Sequence, residues 1–422
     1  MERDGIIELK INVRDYSKLF LQQNPFPAIG VPDEFPKITV DREDIKRRFQ
    51  NVISEVVTTN KTIITVMVGE YGSGKSHLFK VFRNSVNAQL LTKETGALAV
   101  YVKSPGEEFS DFFFALIDGI GKDLLIAQSR GFLAQEINTN PEYDKFIDRK
   151  MLELYRQKKA TLDDILSKSQ FIDLFVKIRK NRFGNVRNPE AAIAFLNLAL
   201  AERATKAWRW FLGQHLDKDD LGLDGINVGQ EVSSENAYQI FLDFVSVIRV
   251  VGIKHLVVLV DELEKITLLT PLKRAKYQDQ LRQMIDDNPA GMCFYFAVAP
   301  QQWETLTKEP TALVRRLAAN WHILEEFKIP ETKELIEAYL FSARAPEYSA
   351  DKIKNKLPKC EPSLFPFADD AVTAISKKSK GVVSSILVLA RRSLEILVDK
   401  SDKYNAITAE LIETEIERFS PT

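Results

Sequence analysis

The chain has 422 residues, 45% of them hydrophobic and 28% charged, a composition typical of a globular protein long enough for about two to three packing units. Its 58 Lys and Arg residues nearly balance its 59 Asp and Glu residues, so no overall basic field favours nucleic acid, and any such contact must be local. Cys293 and Cys360 lack the spacing of a disulfide framework or a metal site. No apolar run reaches the roughly 20 residues that cross a bilayer, and the charged residues 1–4 are not typical of a signal peptide. We therefore expect a cytoplasmic protein without a membrane segment.

Residues 1–60 form the first predicted part, a segment that flanks the sheet described next. Prolines at positions 25, 27, 32 and 36 exclude a helix in that stretch. An amphipathic helix is then predicted from Asp41 to about residue 57. We expect the segment to lie over one end of the sheet.

Residues 69–76 read Gly-Glu-Tyr-Gly-Ser-Gly-Lys-Ser and match the phosphate-loop pattern G-x-x-x-x-G-K-[ST]. The β-branched run at 62–68 predicts a buried strand before the loop, and a helical pattern continues from His77. In such a loop the glycines let N–H groups point at phosphate oxygens, Lys75 bridges the β- and γ-phosphates, and the Ser76 hydroxyl binds Mg²⁺. The alternative is a flexible turn before a helix. The candidate nucleotide-binding residues are Gly69, Glu70, Tyr71, Gly72, Ser73, Gly74, Lys75, Ser76 and His77.

The later apolar runs predict an α/β fold. Strands are expected at 97–102, 256–260 and 292–298 and near 322–327, with helices at 271–286 and 311–318. Continuous apolar strands that alternate with helices indicate a doubly wound parallel sheet, and with the phosphate loop they indicate a P-loop NTPase. The predicted parts after residue 60 are an ATPase core (61–104 and 253–330), a helical insertion (105–252) and an α-helical lid domain (331–422).

The second strong motif is acidic: the predicted strand at 256–260 is followed directly by Asp261 and Glu262. A P-loop enzyme needs one carboxylate at a neighbouring strand end for the Mg²⁺ shell and another to position water. We assign Asp261 to Mg²⁺, through water, and Glu262 to the attacking water. The alternative is the start of an ordinary acidic helix, where Asp and Glu are favoured.

Positive charge near the γ-phosphate is the remaining requirement. Arg315 and Arg316 are the candidates, and a solvated face or a salt bridge is the alternative. Gln301 and Gln302 follow the strand at 292–298 and could sense the γ-phosphate or serve as turn residues.

The inserted region carries a dense basic patch with Phe183 among its residues. Cations for phosphates and an aromatic ring for base stacking would suit DNA or RNA. A basic helix end that complements its dipole is the alternative. The patch consists of Lys177, Arg179, Lys180, Arg182 and Arg187.

The phosphate loop, the Asp-Glu strand end, the sheet and the lid together resemble the AAA+ and STAND ATPases, and the Asn24-Pro25-Phe26 and Arg42-Glu43 elements resemble the archaeal replication-initiator branch. The resemblance implies that Asn24, Phe26 and Arg42 border the adenine and that Arg315 or Arg316 is the arginine finger. One departure is the lid, where the stretch Gly381-Val-Val-Ser384-Ser385 puts serine in place of the initiators' sensor arginine and Arg391 and Arg392 come two turns later.

The insertion is similar to that of the ATP-binding proteins of BREX-type phage-defence islands. Residues 207–213, 221–223 and 241–252, which lead into residues 256–264, carry this resemblance. The Trp208 and Trp210 pair within it is interpreted as core. The resemblance implies a role in defence against invading DNA.

These patterns predict a Mg²⁺-dependent ATPase that couples ATP binding and hydrolysis to assembly on DNA, as an ATP-dependent homo-oligomer with a protein partner such as a helicase or nuclease. A nucleotide-gated scaffold with slow turnover and a plasmid or viral replication initiator are the alternatives. ATP is favoured over GTP because no N/T-K-x-D motif occurs in a suitable strand-end context.

Overall fold

The computed structural model describes residues 14–28, 35–166, 171–216, 222–223, 226–227, 231–287, 291–308, 311–351, 353 and 361–416. Pro32 and Cys360 lie outside these ranges. Within them, no helix is long and apolar enough to cross a membrane.

The chain forms two compact units. The first unit comprises Met1–Ile45, Gly69–His77 and Leu324–Thr422, and the second comprises Lys46–Val68 and Leu78–Ile323. The phosphate loop therefore belongs to the unit that contains the C-terminal helices, whereas the sheet and the insertion share the other unit. The division of the sequence into four parts stays a prediction.

The strands of the described residues are β1 (Ile63–Val68), β2 (Ala97–Val102), β3 (Gly222–Leu223), β4 (Ile226–Asn227), β5 (His255–Val260), β6 (Met292–Val298) and β7 (Trp321–Ile323). Five of them form a parallel sheet in the order β2-β5-β6-β1-β7. Every residue of β5 and β6 is buried, which explains their continuous apolar sequences. The predicted α/β class is confirmed.

The register of the sheet brings the strand ends that matter to one edge. Val68, the last residue of β1, pairs with Val298 of β6, and Val260 of β5 pairs with Phe296 of the same strand. β1 and β5 therefore both end at the carboxyl edge of the sheet, the edge where ligands bind in open α/β sheets.

The α-helices span Glu43–Thr59, Lys75–Leu90, Phe109–Ile120, Lys122–Thr139, Arg149–Arg156, Leu162–Leu166, Phe171–Arg182, Pro189–Asn197, Ala201–Phe211, Ala237–Val250, Pro271–Asp287, Pro300–Lys308, Ala312–Leu317, Ile329–Ser342, Asp369–Ser379, Val383–Asp399 and Ala409–Glu415. Short 3-10 helices lie at Ser17–Leu19, Pro141–Phe146 and Leu263–Leu268. The helical pattern predicted for the insertion and for the lid is observed.

The insertion, predicted to be mostly helical, also contains a short hairpin among its described residues. The antiparallel pair β3 and β4, with Leu223 opposite Ile226, lies in the Gly- and Asp-rich stretch at 217–229, whose composition is typical of a break between helices. Two-residue strands leave no periodicity in the sequence, so the hairpin was not predictable from apolar spacing. The insertion helices share one hydrophobic core with the sheet, in which Phe195, Trp210 and Phe244 join Val100 and Val258.

The first unit has its own core, built from the lid helices and the N-terminal segment. Phe26, Leu340, Phe367, Ile386 and Leu411 are among its members, and each is almost completely buried. The N-terminal segment is thus part of the lid's hydrophobic core.

Candidate nucleotide site

The phosphate loop has the backbone that its glycines allow. Gly72 has φ +78° and Gly74 has φ +101°, both in the left-handed region that favours glycine. The Ser73 N–H donates to the Glu70 carbonyl at 3.1 Å, which closes a tight turn. A Cβ atom added at Gly74 would meet nothing within 4 Å, so this side of the loop faces open space. The helix Lys75–Leu90 begins directly after it.

Lys75 is held against its own loop. Its side chain is only 7% exposed, and Nζ donates to the carbonyl oxygens of Gly69 at 2.6 Å and Glu70 at 2.9 Å. The same ammonium lies 5.5 Å from the centroid of the Tyr71 ring, which is 54% exposed. The lysine is therefore buried at the loop, with its charge balanced by carbonyl dipoles.

Ser73 supplies a direct test of whether the loop suits a phosphate. Its side chain is 2% exposed, and its Oγ has no hydrogen-bond partner in the described structure. A buried hydroxyl without a partner is unfavourable by roughly 1–3 kcal/mol. A phosphate oxygen in the loop would provide an acceptor, so the residues present fit an anionic ligand.

His77 and the first helical turn connect the loop to the N-terminal segment. The Thr39 Oγ1 and His77 Nε2 atoms lie 3.1 Å apart. Ser76, the predicted Mg²⁺ ligand, is the second residue of the same helix. The sequence pattern gave no indication that Thr39 would contact this helix.

The lid contacts the phosphate loop through Ser384, a residue noted only as a departure from a family pattern. Its N–H, at the second position of the helix Val383–Asp399, donates to the Gly72 carbonyl at 3.0 Å. Arg391 is engaged elsewhere, because it donates to the Phe26 carbonyl at 2.6 Å and pairs with Glu395 at 3.0 Å. No sequence signal could reveal a main-chain contact of this kind.

The predicted adenine-side residues lie in the same unit as the loop. The Phe26 ring is 1% exposed and packs on Tyr339 and Phe367, with centroids 5.7 and 5.9 Å away, so it is a core residue. Asn24 accepts from the Phe26 N–H at 3.2 Å and donates to the Arg391 carbonyl. These contacts stabilise a turn.

Arg42 is a buried cation with an unusual backbone. It is 8% exposed, has φ +70°, follows Asp41 at φ +53°, and lies 4.5 Å from the centroid of the Phe327 ring. Burial lowers the pKa of its guanidinium, against the opposing effect of nearby carboxylates. Non-glycine residues in the left-handed region are strained and concentrate at functional sites, which is consistent with a role beside a ligand.

Asp261, in the second unit, is the residue directly after β5, and it is 3% exposed. Its Oδ2 accepts from the Tyr101 hydroxyl at 3.0 Å, its Oδ1 accepts from the Glu262 N–H at 2.9 Å, and its own N–H donates to Val102. The carboxylate is therefore fixed in orientation. Tyr101 was missed by sequence reasoning, although its place near the end of β2, beside β5, could have suggested it.

Glu262 leaves the strand in the left-handed conformation, with φ +52°. Its carboxylate lies 2.5 Å from the Lys265 ammonium, in the 3-10 helix Leu263–Leu268. The side chain keeps 37% of its surface exposed. The predicted water-positioning residue is thus accessible but paired with a lysine.

The two candidate arginines differ in their contacts. Arg316 forms a bidentate pair with Asp286, with both N–O distances 2.6 Å, and donates to the Ala312 carbonyl. The Arg315 side chain is exposed and makes no ion pair within the described residues. Gln301 and Gln302 open the helix Pro300–Lys308.

The basic patch is partly neutralised by ion pairs, and its aromatic residue, Phe183, is not exposed for base stacking. Lys177 pairs with Glu142 at 3.6 Å and Arg182 with Glu136 at 3.2 Å. Phe183 is 3% exposed and packs on Phe132, so the prediction that it could stack on a base is wrong. The side chains of the remaining cations, Arg179, Lys180 and Arg187, make no ion pair in the described part of the chain, although the Arg187 main-chain N–H donates to Asp243 at 3.0 Å.

Among the described residues, no group of three or more His, Cys, Asp or Glu side chains could hold a metal ion. A Mg²⁺ ion held by one or two protein oxygens, phosphates and water does not need such a group. The Ser76 hydroxyl and the Asp261 carboxylate are hard oxygen donors of the suitable kind.

The loop, the parallel sheet and the acidic strand end define a P-loop nucleotide-binding protein of the α/β class. The model of the family described as "BREX system ATP-binding protein BrxC/D" matches residues 197–335. The resemblance indicated by the sequence is confirmed over this range, which includes Asp261 and Glu262 and begins after the phosphate loop.

One solved structure that the chain resembles is that of the Aeropyrum pernix ORC2 protein in ADPNP-ADP complexes, with 10% identity, a TM-score of 0.44, and coverage of 96% of this chain and 74% of that chain. At this identity and TM-score the likeness supports no functional inference. No curated protein matches the chain significantly.

Proposed function

We propose that the chain is a Mg²⁺-dependent ATPase. The observation that carries the proposal is the phosphate loop itself, with a buried Lys75, left-handed glycines and a buried Ser73 hydroxyl that lacks a partner. A loop of this sequence after a parallel strand provides N–H donors and an ammonium for a triphosphate. The match to a family described as ATP-binding supports ATP as the nucleotide.

The carboxylates at the end of β5 support hydrolysis. In this proposal Asp261, oriented by Tyr101, accepts hydrogen bonds from water molecules of the metal shell, and Glu262 polarises the attacking water. Ser76 would hold Mg²⁺ directly. When bound, Mg²⁺ neutralises charge on the β- and γ-phosphates.

Two substitutions separate binding from hydrolysis. Lys75→Ala should abolish ATP binding measured by isothermal titration, whereas Glu262→Gln should bind ATP and release no phosphate. Glu304→Gln is the matched control, because Glu304 pairs with Lys308 on the surface at 2.8 Å. Normal phosphate release by Glu262→Gln would overturn the role given to this residue.

We further propose that ATP turnover serves defence against foreign DNA, in a homo-oligomer that recruits a helicase or nuclease. The family description supports the defence role, and Arg179, Lys180 and Arg187 are the cations available for phosphates. If DNA is bound there, double-stranded DNA should raise the ATPase rate, and neutralising the three cations should reduce the salt dependence of DNA binding. A rate that does not respond to single- or double-stranded DNA would exclude this use. Size-exclusion chromatography with and without ATP tests the oligomer.

A nucleotide-gated switch with slow turnover is the second candidate, and the ion pair between Glu262 and Lys265 favours it. A lysine at 2.5 Å competes with water for the carboxylate that should polarise it. Lys265→Met should then raise the rate of phosphate release while ATP affinity stays constant. An unchanged rate would count against the pair as a brake on turnover.

A further inference from the structure

We propose that the main-chain N–H of Ser384 is a positioning group for the phosphate loop, through which the lid sets the affinity for nucleotide. This inference rests on the proposed function of the loop. It assigns to the lid a backbone contact with the loop, at the position where the sequence carries serine in place of the initiators' sensor arginine.

The first observation is that one peptide unit of the loop is held at both of its ends. The Gly72 carbonyl accepts from the Ser384 N–H at 3.0 Å, and the N–H of the same peptide, that of Ser73, donates to Glu70 at 3.1 Å. A trans peptide is planar, so fixing both groups fixes its orientation. The next N–H groups in the chain are those of Gly74, Lys75 and Ser76, and the first N–H groups of a helix have no intrahelical partner.

The second observation is the close fit between Gly72 and the lid. A Cβ atom built on Gly72 would lie 2.0 Å from Ser384 Oγ, 3.0 Å from Ser384 Cβ and 3.2 Å from Val382 Cγ1. The φ of +78° independently favours glycine at this position. Gly72 is therefore required by the lid as well as by the curvature of the loop.

The lid side of the contact is itself fixed. Gly381, with φ +74°, accepts from the Phe327 N–H at 2.9 Å, and a Cβ atom on it would lie 2.2 Å from the Phe327 carbonyl. Phe327 in turn carries the buried Arg42 guanidinium on its ring. The segment that presents Ser384 is thus anchored just before the helix Val383–Asp399 begins.

A loop that is held in its binding conformation loses less conformational entropy when the nucleotide binds. The contribution should be that of one neutral hydrogen bond, which corresponds to about a fivefold change in affinity. The hydrogen bond between Ser384 and Gly72 is present before any ATP is hydrolysed, so its effect should appear in the dissociation constant of ATP.

The experiment compares Ser384→Pro with Ser384→Ala. Proline removes the N–H and is tolerated in the first helical turn, whereas alanine keeps the N–H and removes only the hydroxyl. Ser384→Pro should weaken ATP binding about fivefold, and Ser384→Ala should bind ATP within about twofold of the wild type. Equal affinities of the two variants would overturn the inference.

A double-mutant cycle covers the case in which proline disturbs the lid. Gly72→Ala should weaken ATP binding, and adding Ser384→Gly, which keeps the N–H and removes the obstructing side chain, should recover part of the loss. Additive effects would show that the lid does not contact the loop in solution, because residues in contact do not behave additively.

Lys75→Ala, measured in parallel, distinguishes failure of the inference from failure of the proposed function. If Lys75→Ala binds ATP as well as the wild type, the loop is not the nucleotide site. If only Lys75→Ala loses binding, the loop binds nucleotide and the contribution of the lid is refuted.

Discussion

Replacing Tyr101 with phenylalanine should weaken the response of the ATPase to Mg²⁺. The substitution removes only the hydroxyl that donates to Asp261 Oδ2 at 3.0 Å. Asp261 keeps the hydrogen bond from the Glu262 N–H, so the carboxylate stays partnered but loses a bond that orients it. The strand β2, which carries Tyr101, should be unaffected.

The size of the effect follows from the type of hydrogen bond. A hydrogen bond to a charged group contributes about 1.5–3 kcal/mol. Loss of a group that orients a metal ligand lowers metal affinity about 10- to 100-fold. Because Asp261 is proposed to act through water, we expect the lower end, about a tenfold rise in the half-saturating Mg²⁺ concentration.

The assay is phosphate release at saturating ATP over a range of Mg²⁺ concentrations. Tyr295→Phe is the matched control, because the buried Tyr295 hydroxyl lies 3.0 Å from His322 Nε2 in the same sheet. Both variants lose one phenol hydroxyl, but only Tyr101→Phe should change the Mg²⁺ response. Identical Mg²⁺ curves for Tyr101→Phe and the wild type would refute the assignment of Asp261.

Three further predictions concern the other residues of the site and the lid. Arg316→Ala should lower the melting temperature because it breaks a bidentate ion pair. Arg315→Ala should leave the melting temperature unchanged. If Arg315 acts on a neighbouring subunit, Arg315→Ala should also reduce phosphate release. Phe26→Ala should reduce the free energy of unfolding in urea by about 3–5 kcal/mol, since the ring is buried. The pKa of Glu415 is lowered from 4.5 to about 2 by hydrogen bonds from Lys400, Lys403 and Tyr404. The contribution of Glu415 to the free energy of unfolding is therefore present above pH 4.5 and is lost as the pH falls toward 2. Glu415→Gln should flatten the acid-unfolding curve in this pH range, and an unchanged curve would contradict the contact.

The sheet was predictable because buried parallel strands leave an unmistakable sequence pattern. The structure places β1, β2, β5 and β6 within one residue of the apolar runs, since both faces of each strand need apolar side chains. The phosphate loop could be found for a similar reason, because Gly72 and Gly74 adopt the left-handed backbone that favours glycine.

The rest depended on contacts between distant parts of the chain. Phe183 lies in a basic sequence, yet its ring is buried against Phe132, which no local pattern encodes. Ser384 acts through an N–H that every residue except proline possesses, so its identity carries no signal. The ion pair of Arg316 with Asp286 likewise joins residues that lie 30 positions apart in the sequence.

The core shared by the insertion and the sheet has a consequence for folding. Because Phe195, Trp210 and Phe244 pack in one cluster with Val100 and Val258, the insertion cannot be removed without exposing the sheet. The second unit should therefore unfold in a single cooperative transition, with its outer helices and its central strands losing hydrogen-exchange protection together. An antibody or binding partner that stabilises the outer helices would, by the same cooperativity, protect β5, the strand that precedes Asp261.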